Sequence, residues 1–191
     1  MCLAGLVGCA RQVEVGPAVD PAVYSRLAVL PFETESIFST IGHQLADEMI
    51  VELIEKAPEY HIVERARIDA LLMERNLQSQ GISAEESTLE AARLLGVDAL
   101  ITGSVSLSIS DLNPAPGRTE RRAEGIAVVR LIRVSDGRVI WAKRIEARST
   151  LLTYLYGDVY QDETDHELVQ EVVHELAYRS AQCFYTHTER Q

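Results

Sequence analysis

The stretch Tyr60-His-Ile-Val-Glu-Arg-Ala-Arg-Ile-Asp-Ala-Leu-Leu72, a polar break, and then Ser83-Ala-Glu-Glu86 through Ala91-Ala-Arg-Leu-Leu-Gly-Val-Asp-Ala-Leu-Ile-Thr-Gly-Ser104 decides the fold. It reads as strand, helix, helix, strand. Val97 to Thr102 is a short apolar run bounded by Gly96 and Gly103, which fits a buried strand. Gly96 stands where a helix needs a residue in the left-handed conformation, and glycine takes it without a Cβ penalty. Ser83 and Glu86 have capping-box spacing, so each can satisfy an amide left open at a helix start.

Outward from this unit, Arg26-Leu-Ala-Val-Leu-Pro31 reads as a buried strand stopped by proline. From Ile41, apolar residues Leu45, Met49, Ile50, Leu53 and Ile54 recur at helical spacing, and Pro58 follows the helix end. On the other side, Val105, Leu107 and Ile109 alternate with four serines in a period-two strand. Leu112 to Arg118 reads as a loop. Residues 125–134 and 139–145 read as strands joined by a hairpin at Asp136-Gly137. Thr164 and Glu167 suggest a second capping box, ahead of a helix that buries Leu168, Val169, Val172, Val173, Leu176 and Ala177, with Cys183 and Phe184 beyond it. The pattern β-α-β-α-α-β-β-β-α predicts an α/β domain with a single mixed sheet and packed helices over residues 26–188.

Two phrases carry a resemblance. Val63-Glu-Arg-Ala-Arg-Ile-Asp-Ala-Leu-Leu72 and Leu95-Gly-Val-Asp-Ala-Leu-Ile-Thr-Gly-Ser104 resemble the CsgG-type lipoprotein superfamily. That group includes the curli secretion component CsgG, the penicillin-binding-protein activator LpoB and the N-terminal domain of TolB. The resemblance covers roughly residues 26–146 and implies a fold similar to an anticodon-binding domain. It also implies a role in assembly or protein binding at the bacterial envelope, with no cofactor.

Residues 1–25 read as a lipoprotein signal remnant and linker. Leu6-Val-Gly-Cys9 resembles a lipobox, so Cys9 is the expected lipidation site. Eight residues are too few for a signal h-region, so this reading places the start of translation upstream. Ala10 follows the cysteine, where an aspartate would mark inner-membrane retention in enteric bacteria. The expected location is therefore the periplasmic side of the outer membrane, by lipid anchor. Arg11 to Ser25 carries Pro17 and Pro21 without apolar periodicity. As an extended linker, about 15 residues reach roughly 50 Å.

Among 191 residues the formal net charge is −11. That argues against nucleic acid, whose phosphates demand clustered Lys and Arg. Of three cysteines, two lie in the first nine residues, so no disulfide framework is legible. No run approaches the ~20 apolar residues of a spanning helix.

No phosphate cradle, nucleophile elbow or zinc-protease motif is present. Glu171-Val-Val-His174 has di-iron spacing but no second copy, and His166 with His174 lacks a third ligand. A solvated helix face is the better reading, and no metal, catalytic or cofactor residue is expected. Glu64-Arg65 and Arg67-Asp69 fit capping and local ion pairing, each worth about 0–1 kcal/mol at a surface. Arg118, Arg121 and Arg122 form a basic island that reads either as a contact for an anionic partner or, more commonly for such a run, as a solvated loop tip. Leu151, Leu152, Tyr154, Leu155, Tyr156 and Tyr160 crowd one segment that follows no single period, and it reads equally as an interface, which tyrosines suit, or as a loop that folds back over the sheet edge.

Two classes of function compete on these grounds. One is a CsgG-like lipoprotein acting by assembly or protein binding, in secretion or envelope biogenesis, with LpoB-like activation of a peptidoglycan synthase as a variant. The other is an enzyme with a dispersed site. A complete pore subunit is disfavoured, because residues 149–162 are too few for a second spanning hairpin of two strands of about 9–11 residues.

Overall fold

The structure, a computed structural model, describes residues 12–34, 38–74, 83–115, 118–154 and 161–190. Twelve elements follow in order: β1 (Gln12–Val15), β2 (Arg26–Val29), α1 (Ile41–Lys56), β3 (His61–Ile62), α2 (Arg65–Glu74), α3 (Ala84–Leu94), β4 (Ala99–Ala115), β5 (Arg118–Arg133), β6 (Val139–Tyr154), α4 (Gln161–Ala181), one 3₁₀ turn (Gln182–Phe184) and β7 (His187–Arg190). A mixed five-stranded sheet runs β3-β2-β4-β5-β6, and β1 pairs separately with β7. β2 is parallel to β3 and β4, while β4, β5 and β6 are antiparallel neighbours. The predicted α/β class and the nine-element pattern from β2 to α4 are present.

Strand alternation divides the core into two layers. Leu27, Val29, Ile101 and Leu131 face α1 and α4, with Leu45, Met49, Leu53, Val172 and Leu176. Ala28 and Leu100 face the other way, onto Ile68 of α2 and Ala91 and Ala92 of α3. Helices therefore cover both sheet faces, which is how parallel strands bury both rows of side chains.

The Leu95–Asp98 turn shows why this unit organises the chain. Gly96 has φ of 68°. Its N–H donates to Arg93 and the N–H of Val97 donates to Ala92, each at 3.0 Å, closing α3 with paired bonds. Arg26 Nε then donates to the Gly96 carbonyl at 2.8 Å. In return the Asp98 carboxylate accepts from the Arg26 backbone N–H at 2.8 Å. The end of α3 is thus tied to the start of β2. At the other end of α3, Ser83 Oγ accepts from the Glu86 N–H at 3.2 Å.

Four features differ from the sequence expectation. The hairpin at Asp136-Gly137 is wider than a two-residue turn. Gly137, at φ 69°, donates to the Arg133 carbonyl, and Arg133 donates back to Arg138, both at 2.9 Å. The strands also run further. β5 starts at Arg118 rather than 125, and β6 continues to Tyr154 rather than stopping at 145. The outer part of β5 is charged, with Arg121 paired to Asp111 of β4 and Arg122 to Glu120 and Glu124, so an apolar period-two signal is hidden there. α4 begins at Gln161, three residues before Thr164, so Thr164 is helical and not a cap.

The fourth feature is the segment read as a linker. Gln12 to Val15 runs antiparallel to His187–Arg190. Val19 is in the core, and its carbonyl accepts from the buried Tyr60 hydroxyl at 2.7 Å. Burial, reinforced by Glu59 and Asp20, pushes the Tyr60 phenol up to about 12.

Candidate functional site: a cleft at the strand ends and an open strand edge

β2 passes into α1 on one face of the sheet, and β3 passes into α2 on the other. Adjacent parallel strands whose connections part in this way leave a crevice beyond their carboxyl ends. A cleft of about 680 Å³ occupies that position. Its floor is apolar, formed by Leu30, Ile68, Leu72, Leu89, Leu100 and Ile132. Its walls are charged.

The first turn of α2 places Arg65 in the wall. Its Nη1 lies 3.2 Å from His43 Nδ1, and its Nε lies 3.8 Å from Asp69 Oδ2. Arg130 projects from β5 opposite Thr102. Glu33 and Glu85 add carboxylates. The ion pair that forms here joins Arg65 to Asp69, rather than Glu64 to Arg65 or Arg67 to Asp69, and it borders this cleft. Among the described residues the lining contains no serine or cysteine, and its hydroxyls are those of Thr88 and Thr102. An apolar floor with paired charges at the rim suits binding an apolar group with polar ends.

Two arginines of the basic island have carboxylate partners within the chain. Arg121 Nη1 donates to both carboxylate oxygens of Asp111, at 2.7 and 2.8 Å, and the guanidinium is bidentate on Asp165 of α4, with Nη2 to Oδ2 at 2.8 Å and Nε to Oδ1. The hydrogen bond to Asp165 raises its pKa above the usual arginine value; burial opposes this, and Asp111 adds to it. Arg122 pairs with Glu120 at 2.7 Å and with Glu124 at 3.8 Å. The side chain of Arg118 lies outside the described residues. The Asp111 contact follows from the long β4–β5 pairing, which sets Asp111 directly opposite Arg121.

Arg121 therefore joins the outer β4–β5 strands to the first turns of α4. Arg121→Ala leaves Asp111 and Asp165 facing each other without a cation. A loss of about 1–3 kcal/mol is expected, the scale of hydrogen bonds to charged groups in a partly exposed place. Urea unfolding that leaves the midpoint unmoved would show that the clamp adds nothing.

Of the expected interface residues, Leu151 is 40% exposed near the end of β6. Leu152 and Tyr154 lie in the same strand, and their side chains are outside the described residues. Leu155, Tyr156, Tyr160 and Cys9 lie wholly outside them. Glu171 and His174 do not converge. Glu171 accepts from the Ser149 hydroxyl, while His174 Nδ1 sits 3.3 Å from Glu48 of α1. Among the described residues no group of His, Cys, Asp and Glu is placed to hold a metal, and no helix is long and apolar enough to cross a membrane.

Sequence reasoning missed the cleft, which five or more elements assemble. It also missed the Arg121 clamp. A signal for the paired strands was present in Glu120, Arg122 and Glu124, where charge alternates at strand period.

Residues 21–107 match the family model described as curli production assembly/transport component CsgG. No curated protein matched the sequence. Among solved structures, a minor lipoprotein from Acinetobacter baumannii superposes with a TM-score of 0.54 at 11% identity, covering 88% of this chain and 98% of that one. The LpoB C-terminal domain from Escherichia coli gives 0.47 at 14% identity, covering 68% and 87%. A PelC dodecamer from Paraburkholderia phytofirmans gives 0.41 at 15% identity, covering 88% and 98%. Residues 21–107, from just before β2 through the Leu95–Asp98 turn and into β4, thus match the CsgG family model, in a chain that shares its fold with a bacterial lipoprotein.

Proposed function

We propose that this protein is an envelope lipoprotein, anchored through Cys9 on the periplasmic side of the outer membrane, that acts by binding or assembling proteins rather than by catalysis. The observation that carries the reading is the CsgG family match over residues 21–107, which follows closely on Leu6-Val-Gly-Cys9. Its setting is secretion or envelope biogenesis. The exposed part of β6 around Leu151, continuing into the tyrosine-rich segment, is the proposed contact surface for a partner.

The N-terminal strand favours action close to the membrane. Only Ala10 and Arg11 separate Cys9 from Gln12, the first residue of β1. Three residue steps span at most about 10 Å. A lipid on Cys9 would hold the β1–β7 ribbon against the bilayer surface. This supports assembly at the membrane over LpoB-like activation of a synthase at a distance.

The test is expression of the gene with its native upstream sequence and labelling with palmitate. Labelling and membrane fractionation are expected in the natural protein and lost in Cys9→Ser. Labelling that persists in Cys9→Ser would remove the anchor from this reading.

A further inference from the structure

The five-stranded sheet ends on one side at β3, two residues long, and on the other at β6, sixteen residues long. Among the described residues no strand lies beside the outer edge of β6. An edge of this length presents a row of main-chain donors and acceptors that can pair with another strand. α4 packs against the sheet face, over Ile145 and Ala147. Arg179 of α4 reaches round to the edge and donates to the Glu146 carbonyl at 2.9 Å. That bond marks the Glu146 carbonyl as an outward acceptor, held for now by a half-exposed side chain.

The opposite face of β6 carries Arg144, Glu146 and Arg148 at period two, exposed by 61%, 51% and 66%. A single-sign column would repel a second copy. This column alternates, so it complements itself under two-fold symmetry. Two antiparallel copies aligned with Glu146 facing Glu146 would also set Arg144 against Arg148, and like charges directly opposite are unfavourable. A shift of two residues either way sets Glu146 opposite Arg144 or Arg148 of the second copy, and the symmetry repeats the pair.

We propose that β6 is a self-association edge, on which a second copy of this chain pairs antiparallel and continues the sheet, with Glu146 facing an arginine of that copy's column. The Glu146 carbonyl exchanges Arg179 for a main-chain N–H. Ile145 and Ala147 stay packed under α4, so pairing requires no change in the core. This deepens the protein-binding reading by naming one partner. It is independent of the lipid anchor, because it is tested without one.

The experiment uses the full chain with Cys9→Ser in every sample and measures mass by light scattering. The parent is expected to be a dimer. Glu146→Arg makes the column wholly basic, and the double change Arg144→Glu with Arg148→Glu makes it wholly acidic. Each alone is expected to show half the parent mass with an unchanged unfolding transition. Mixed in equal amounts, the two are expected to form a heterodimer. The triple exchange of all three charges is expected to restore the dimer. A parent that stays monomeric at the highest concentration reached overturns the proposal. So does any assembly, dimeric or larger, that is indifferent to these exchanges. Neither result would touch the palmitate test of the anchor.

Discussion

Gly103→Ala is expected to cost more than about 3 kcal/mol, beyond the ~1–3 kcal/mol typical of forcing an extra methyl into a packed core. A Cβ at Gly103 would lie 1.8 Å from the Val128 carbonyl oxygen and 3.0 Å from Cε1 of Phe32. The first obstacle is backbone, so no side-chain rotation relieves it. Nor can the strand retreat. The Gly103 carbonyl accepts from the Glu33 N–H at 2.9 Å, and Glu33 accepts from the Val105 N–H at 2.8 Å. On the other side, β4 pairs with β5 on both flanks of this point, Thr102 with Arg130 and Ser104 with Val128. Moving Gly103 away from Val128 therefore breaks one ladder to relieve the other. Gly16, whose added Cβ would meet nothing within 4 Å, is the control, and its alanine variant should stay within about 0.5 kcal/mol of the parent. Chemical denaturation followed by far-UV circular dichroism compares them. A Gly103→Ala midpoint equal to the parent's would mean that β4 and β5 do not approach this closely.

The parts of the fold legible in the sequence are those whose causes are local. The Ser83 cap, the Gly96 turn and the apolar stripe of α1 each lie within a few residues of their partners. The parts that were not legible depend on distant partners. Gln12 pairs with Arg190 at the far end of the chain, and nothing near Gln12 signals it. The outer halves of β4 and β5 carry Asp111 and Arg121, on either side of the segment read as a loop, and only the register brings these opposite charges together. For the same reason the arginines looked like a basic island. The partners of Arg121, Asp111 and Asp165, stand ten and forty-four residues away. The cleft is further from sequence reach. Local ion pairing around residues 64–69 was legible, but the pairing of Arg65 with Asp69 and its position at the rim depend on how α1 and α2 leave opposite faces of the sheet.

The C-terminal turn makes the same point with a large effect. Phe184→Ala is expected to lose about 3–5 kcal/mol, the usual range for emptying a buried aromatic site. Phe184 is fully buried. Its ring meets Tyr60 edge-on at 6.0 Å and Trp141 at 5.9 Å between centroids. Such pairs add about 0.5–1.5 kcal/mol beyond area burial. Three distant parts of the chain therefore converge on this ring: the approach to β3, the start of β6 and the turn after α4. Neighbouring bonds extend the connection. The Tyr60 hydroxyl holds the Val19 carbonyl, and the Ala18 N–H donates to the Cys183 carbonyl at 2.8 Å. Removing the ring opens a cavity beneath the segment that leads from β1 into the domain. Truncating Tyr178, an exposed aromatic one turn and a half earlier on α4, should cost far less, within about 0.5 kcal/mol. Equilibrium unfolding separates the two, provided the denaturant slope is preserved. A Phe184→Ala midpoint no lower than that of Tyr178→Ala would show that the turn does not pack on the sheet, and the clasp between the chain's two ends would lose its support.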